Sequence, residues 1–279
     1  MIEHIPMTLF MIGAMVSWGA GDFCGGLISK RYSVYSVLLT AQLIGIIPLF
    51  ALMLLFEKMP PFHDLLFGSL SGLGGMIGLL HLYQGLAQGR MAIVAPLTAM
   101  IMCIIPVLVG MIIDGVATGL QMCGFVVALL AIWLVSSDGR RLTVTILELR
   151  LAIIAGVTMG SACIAIDQGS GQSVLGLTLA ARITSISLLL LYVVTQKQWQ
   201  APKFEFLPLL ATAGLCDVLG NYFFTTAVLA GRLDVATMVS SLYPVVTIAL
   251  AWLILKERLR IRQWLGIFSA LLAIVLIAS

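Results

Sequence analysis

The sequence predicts an all-α integral membrane protein with ten transmembrane helices, arranged as two inverted five-helix repeats. Three observations carry that prediction. Hydrophobic residues make up 61% of the 279 and charged residues only 10%, whereas soluble domains carry about 25% charged residues. Apolar runs of bilayer-spanning length follow one another along nearly the whole chain. The end of the sequence repeats its middle at a fixed offset.

A spanning helix needs about 20 apolar residues, roughly 17 to 25. Ten such runs are present, at 6–28, 35–56, 65–87, 91–113, 118–136, 151–168, 174–195, 206–230, 235–255 and 263–279. Span 1 has no Lys or Arg before Lys30 and exceeds a signal-peptide core, so it is read as a spanning helix and not a cleavable leader. It carries Gly21, Gly25 and Gly26, and span 3 carries Gly68, Gly72, Gly74, Gly75 and Gly78. Small residues four apart let membrane helices approach closely. Pro48, Pro106 and Pro244 lie near the middles of spans 2, 4 and 9. Each removes a backbone hydrogen bond and is expected to kink its helix. Only 57–64, 137–150 and 196–205 are links of any length, which excludes a soluble catalytic or sensory domain. Strand-like alternation is absent, which excludes a β-barrel. The five cysteines all lie inside apolar spans without CxxC or Cys/His spacing, so they read as packing residues and no metal site is expected. No cofactor and no nucleic-acid partner are expected either.

Residues 121–137 match 263–279 at nine of seventeen positions, an offset of 142. Upstream, Gly72, Gly78 and Gly89-Arg90 meet Gly214, Gly220 and Gly231-Arg232 at the same offset. The repeat unit is therefore five helices: 1–137, a linker at 138–150, and 151–279. Because five is odd, the second copy enters the membrane upside down. Inverted repeats are typical of transporters, with the substrate site near the midplane between the halves.

Four segments carry a resemblance: WGAGDFCGGLISKR (18–31), QGLAQGRMAIVAPLTAM (84–100), GLCDVLGNYFFTTA (214–227) and SSLYPVVTIALAWLILKERLRIRQWLG (240–266). With these, the chain resembles the EamA-like family of the drug/metabolite transporter superfamily over its full length. The resemblance implies ten helices in two repeats and secondary transport of small metabolites. One departure is visible: DGVATGLQ (114–121) stands where the second copy has KERLRIRQ (256–263).

Odd-numbered links hold twelve of the fifteen Lys and Arg residues, and even links and termini hold two, Lys58 and Arg232. The positive-inside rule then places the odd links in the cytoplasm and both termini outside, in the inner (plasma) membrane. The resemblance, through the family's eukaryotic members, associates the termini with the cytosol instead; the charge bias takes precedence.

The fifteenth base is Arg182, near the middle of span 7. An ionised group at the bilayer centre costs at least about 2.5–3.5 kcal/mol. Arg182 and Asp217 each lie about 12 to 14 residues from the link joining their spans, so their depths match. They are expected to form an ion pair in a substrate-binding centre, with Asn221 one turn beyond Asp217 on the same face. Trp18 and Tyr243 offer aromatic walls, the latter flanked by Ser240 and Ser241 beside the Pro244 kink. Asp22 and His81 lie at similar depths toward the odd-link side and are expected to face each other as a proton-coupling pair. Asp167 is expected near an interface.

These features point to a secondary active transporter, an exporter of small polar metabolites such as amino acids or amines. It would work by alternating access, coupled to protons or to exchange, as a monomer or homodimer. The intramembrane acids Asp22, Asp167 and Asp217 outnumber the one base, which tilts the ligand toward a cation or zwitterion. No GxxxxGK[ST] run is present, so a P-loop ATPase drive is not expected. The alternatives are a membrane-embedded lipid-modifying enzyme and a channel. The first needs clustered carboxylates or His at an interface, and the second favours a ring of like polar groups.

Overall fold

A computed structural model describes residues 7–88, 91–136, 145–169, 171–196, 199–256 and 258–278. Gly89-Arg90 of the repeat, and Arg140, Arg141 and Lys197 of the charge count, lie outside them. The helices are α1 Met7–Ser29, α2 Val34–Phe56, α3 Phe62–Gln88, α4 Met91–Ile113, α5 Gly119–Ser136 and α6 Ile146–Gly169. They continue as α7 Val174–Gln196, α8 Leu207–Leu229, α9 Leu233–Ser240, α10 Tyr243–Leu255 and α11 Ile261–Ala278, with one 3-10 turn at Phe204–Phe206. Among the described residues, nine helical stretches are long and apolar enough to cross a bilayer, and Gly119–Val135 is a shorter tenth.

Two boundaries differ from expectation. Helix α6 begins at Ile146, inside the expected linker. Thr145 and Glu148 form a reciprocal capping box: the Thr145 N–H donates to Glu148 Oε2 at 2.9 Å, and the Glu148 N–H donates to Thr145 Oγ1 at 3.2 Å. Span 9 is broken, not merely kinked, between α9 and α10. Pro244 sits at the start of α10 and has no N–H to return to the Ser240 carbonyl. The chain tightens there, with Leu242 N–H donating to Val239 O at 3.1 Å and Val245 N–H to Leu242 O at 2.9 Å. Pro48 and Pro106, by contrast, stay inside the continuous helices α2 and α4.

The outer faces are apolar and the inner faces small. In α11, Leu265, Phe268, Leu271, Leu272 and Val275 are exposed, while Gly266, Ala270, Ala273 and Ile277 are buried. That pattern suits lipid outside and close helix contact inside. The buried stripe packs on α5, whose buried stripe is Gly124, Ala128, Ala131 and Val135, each 142 residues earlier. Gly124 abuts Ile277, and Gly266 abuts Val135. The two helices therefore run antiparallel through equivalent residues.

Other contacts between the halves exchange in the same way. α1 packs on α8 and α6 on α3; α2 packs on α8 and α7 on α3. A Cβ on Gly72 would lie 2.2 Å from the Ala181 carbonyl oxygen, and one on Gly214 would lie 1.9 Å from that of Ala41. Gly72 and Gly214 are 142 apart and Ala41 and Ala181 are 140 apart. The cap repeats too: Gln121 Oε1 accepts the Thr118 N–H at 3.0 Å, and Gln263 Oε1 accepts the Arg260 N–H at 2.9 Å.

The links gather at two ends. Link 1 (30–33) meets link 7 (199–206), with Ser33 N–H donating to Gln200 Oε1 at 3.2 Å. At the other end link 2 (57–61) and the start of α3 meet link 6, and link 4 meets link 8 through Arg232, which donates to the Asp114 carbonyl at 3.1 Å. We call these the odd-link and even-link ends.

Candidate functional site

Polar residues at helical spacing bring the site together. α7 carries Thr178, Arg182 and Ser185, and α8 carries Asp217 and Asn221, so each set shares a face. From the other half α1 brings Trp18 and Asp22, and α2 brings Gln42; α10 of the second half begins at Tyr243. All of these line one central cavity of about 100 Å³. Arg182 Nη2 donates a short, charge-assisted bond to Asp217 Oδ2. Arg182 is only 5% exposed and Asp217 26%. Asn221 Nδ2 donates to the Asp217 carbonyl at 2.7 Å and more weakly to Oδ1 at 3.4 Å.

Three buried atoms of cavity-lining residues have no hydrogen-bond partner among the described residues: Arg182 Nε, Gln42 Oε1 and the Tyr243 hydroxyl. A buried polar group left unpaired costs about 1–3 kcal/mol. Two donors and an acceptor left unpaired on residues that line one space are the groups a polar occupant would satisfy once the side chains turn toward it. By this measure a water needs about 10–15 Å³, so the cavity admits a small molecule.

Gln42 escaped the sequence reading. It lies 140 residues before Arg182, the offset that relates α1 and α2 to α6 and α7. The offset becomes 142 only after link 7, so the single offset of 142 misses it. Gly75 and Leu79 likewise occupy the positions of Asp217 and Asn221 in the first repeat. The centre is thus pseudo-symmetric in place and asymmetric in chemistry.

A second cavity of about 310 Å³ lies between α1, α4 and α10, with Lys30, Arg258, Arg260 and Gln263 at its odd-link mouth. Asp22 and Tyr243 border both cavities and form the wall between them. Trp18 packs on Phe224, ring centroids 5.3 Å apart. Tyr243 is 1% exposed. His81 borders neither cavity; its Nδ1–H donates to Ile77 O on its own helix at 2.7 Å. The proton-coupling pairing of Asp22 with His81 therefore stays an expectation: Asp22 lines the centre, and the described bond of His81 stays on its own helix. Matching depth is not matching direction: Gly72, Gly75 and Leu79 of α3 face the centre, while His81 continues the Gly74–Gly78 stripe that abuts α6. Asp167 lies at the even-link end of α6 and accepts from Gln168 Nε2 at 3.0 Å.

The sequence model of the EamA-like transporter family matches this chain twice, over residues 5–137 and 147–279. No curated protein matches it. A solved crystal structure superposes with a TM-score of 0.77 over 97% of this chain and 95% of its own, at 15% identity; at that identity the likeness is one of fold alone.

Proposed function

Because the chain belongs to the EamA-like transporter family, we propose that it is a secondary active transporter exporting a small polar metabolite, an amino acid or amine. Transport proceeds by alternating access between two inverted five-helix repeats, the first over 1–137 and the second beginning with α6 at Ile146. The self-matching α5–α11 contact supports the inversion, because equivalent residues meet across a two-fold axis only. Links 1 and 6 hold equivalent places in the two copies yet lie at opposite ends, which calls for an axis in the membrane plane.

The observation that carries the binding site is the set of unpaired atoms on residues that line the central cavity, Arg182 Nε, Gln42 Oε1 and Tyr243 Oη. Arg182 offers a donor to a carboxylate, Asp22 and Asp217 offer charge to an ammonium, and Trp18 and Tyr243 enclose the ligand. Asn221 orients Asp217. Asp22, on the wall between the cavities, carries the coupled proton. His81 serves α3–α6 packing. With the odd links cytoplasmic by charge bias, the larger cavity opens to the cytoplasm and loads substrate for export from the inner membrane. A lipid-modifying enzyme or a channel is disfavoured by a repeat that runs through the whole chain with its polar groups gathered in one closed centre.

A thermal-shift screen of the purified protein against amines, amino acids and nucleosides tests the assignment. A ligand at 100 times its Kd stabilises the folded state by about 2.7 kcal/mol. Stabilisation by zwitterions or amines that is lost in Arg182→Ala supports the site. Stabilisation that is indifferent to that change contradicts it.

A further inference from the structure

The two ends of the molecule are fastened at equivalent places by unequal chemistry. Ser173, before α7, and Ser33, before α2, are 140 residues apart and hold the same place in their repeats. At the even-link end, Asp64 is fully buried and accepts three backbone N–H bonds: Gly171 at 3.2 Å, Gln172 at 3.1 Å and Ser173 at 3.0 Å. Glu57 accepts a short bond from the Ser173 hydroxyl, and the N–H groups of Leu175 at 3.1 Å and Gly176 at 3.3 Å. Pro60 is pressed so near that a Cβ on Gly176 would lie 2.5 Å from it. At the odd-link end the hydrogen-bond acceptors are uncharged, and the Arg31 guanidinium lies over the Phe206 ring, 5.4 Å from its centroid. Gln200 Oε1 accepts the Ser33 N–H at 3.2 Å, Ser36 Oγ accepts the Gln200 N–H at 2.8 Å, and Tyr32 Oη accepts the Lys203 N–H at 3.3 Å.

We propose that these two clasps are the end gates, and that the carboxylates of Glu57 and Asp64 bias the resting protein toward a closed even-link end. This rests on the transporter reading above. Alternating access requires each end to part in turn, and each clasp joins a link of one repeat to a link of the other. Parting the even-link end gives up charge-assisted bonds from two carboxylates and their interaction with the positive N-terminus of α7. Parting the odd-link end exchanges neutral hydrogen bonds for water at little net cost and gives up the Arg31–Phe206 contact, a weak one at an exposed site. Charge-assisted bonds are roughly twice as strong as neutral ones, so the unequal clasps set which end opens at rest. The 310 Å³ cavity at the odd-link end and the Arg232 guanidinium, which fastens link 8 to link 4 through the Asp114 and Gly115 carbonyls at the even-link end, agree with that bias.

A cysteine in the central cavity reports the gates. Gly75→Cys is suited to this, because nothing lies within 4 Å of a Cβ built there. In the full chain with its native cysteines replaced, a membrane-impermeant methanethiosulfonate reagent is applied to right-side-out and to inside-out vesicles. The clasp asymmetry predicts faster reaction from the odd-link end. Asp64→Asn and Glu57→Gln should each raise the even-link rate by about tenfold or more, the factor one charge-assisted bond supplies. Gln200→Glu, on an exposed link where folding is not at stake, should act likewise by strengthening the opposite clasp. Rates within about twofold of the parent in all three variants, with the introduced thiol reached from both ends, overturn the clasp asymmetry and leave the transporter intact. Reaction from one end only in every variant contradicts alternating access itself, and this proposal with it.

Discussion

Removing either member of the Arg182–Asp217 pair tests whether the centre is an interacting unit. Asp217→Asn leaves the guanidinium, 5% exposed, without its counter-charge, and breaking a buried pair this way costs about 3–5 kcal/mol. Arg182→Ala leaves a carboxylate that is 26% exposed to the cavity and still held by Asn221, so its cost is smaller, about 1–3 kcal/mol. At about 2–4 °C per kcal/mol for a chain of this size, the first change lowers Tm by roughly 6–20 °C and the second by less. The double variant strands neither charge and should be milder than the sum by about 2 kcal/mol or more, a coupling expected only of residues in contact. The assay is thermal unfolding of all four proteins in one detergent, with ligand binding read in parallel. Full additivity, or a costlier Arg182→Ala than Asp217→Asn, refutes the reasoning. If stability recovers in the double variant while binding does not, the pair belongs to the substrate site. Recovery of both marks it as a structural staple.

Other consequences are as specific. Arg182→Lys keeps a cation near Asp217 but has no Nε, so stability should fall little while ligand-induced thermal shift is lost; a retained shift removes that atom from the site. Gly214→Ala drives a methyl to 1.9 Å from the Ala41 carbonyl and should abolish folding or lower Tm steeply, whereas Gly75→Ala meets open space and should leave Tm nearly unchanged. Equal effects at the two glycines contradict the helix contacts. Asp22→Asn should abolish pH-driven transport in proteoliposomes while leaving exchange measurable, and unchanged pH dependence takes Asp22 out of the coupling.

The helices were legible because each requirement is compositional: about twenty apolar residues mark a span wherever it packs. Arg182 and Asp217 were legible for the opposite reason, as charges that an apolar chain cannot carry without a partner. Gln42 was not, because an uncharged amide raises no alarm and the offset of 142 misaligns it by two. For His81 the sequence supplies depth alone, because linear position fixes depth along a helix while direction depends on which stripe the neighbouring helix occupies. The break before α10 exceeded the expected kink because Pro244 falls where Ser241 and Leu242 had already turned out of the helix. Glu57 and Asp64 were passed over as residues of a link, since only the fold shows the N-terminus of α7 above them.

The central claim is that a ligand held at the Arg182–Asp217 centre is carried across the membrane by alternating exposure. Counterflow measures this directly: proteoliposomes preloaded with a zwitterion or amine that stabilises the protein, diluted into a trace of the same labelled compound. Uptake should be saturable, accelerated by internal ligand and removed by Arg182→Ala. Uptake that rises linearly with concentration, without acceleration from the far side, would contradict it.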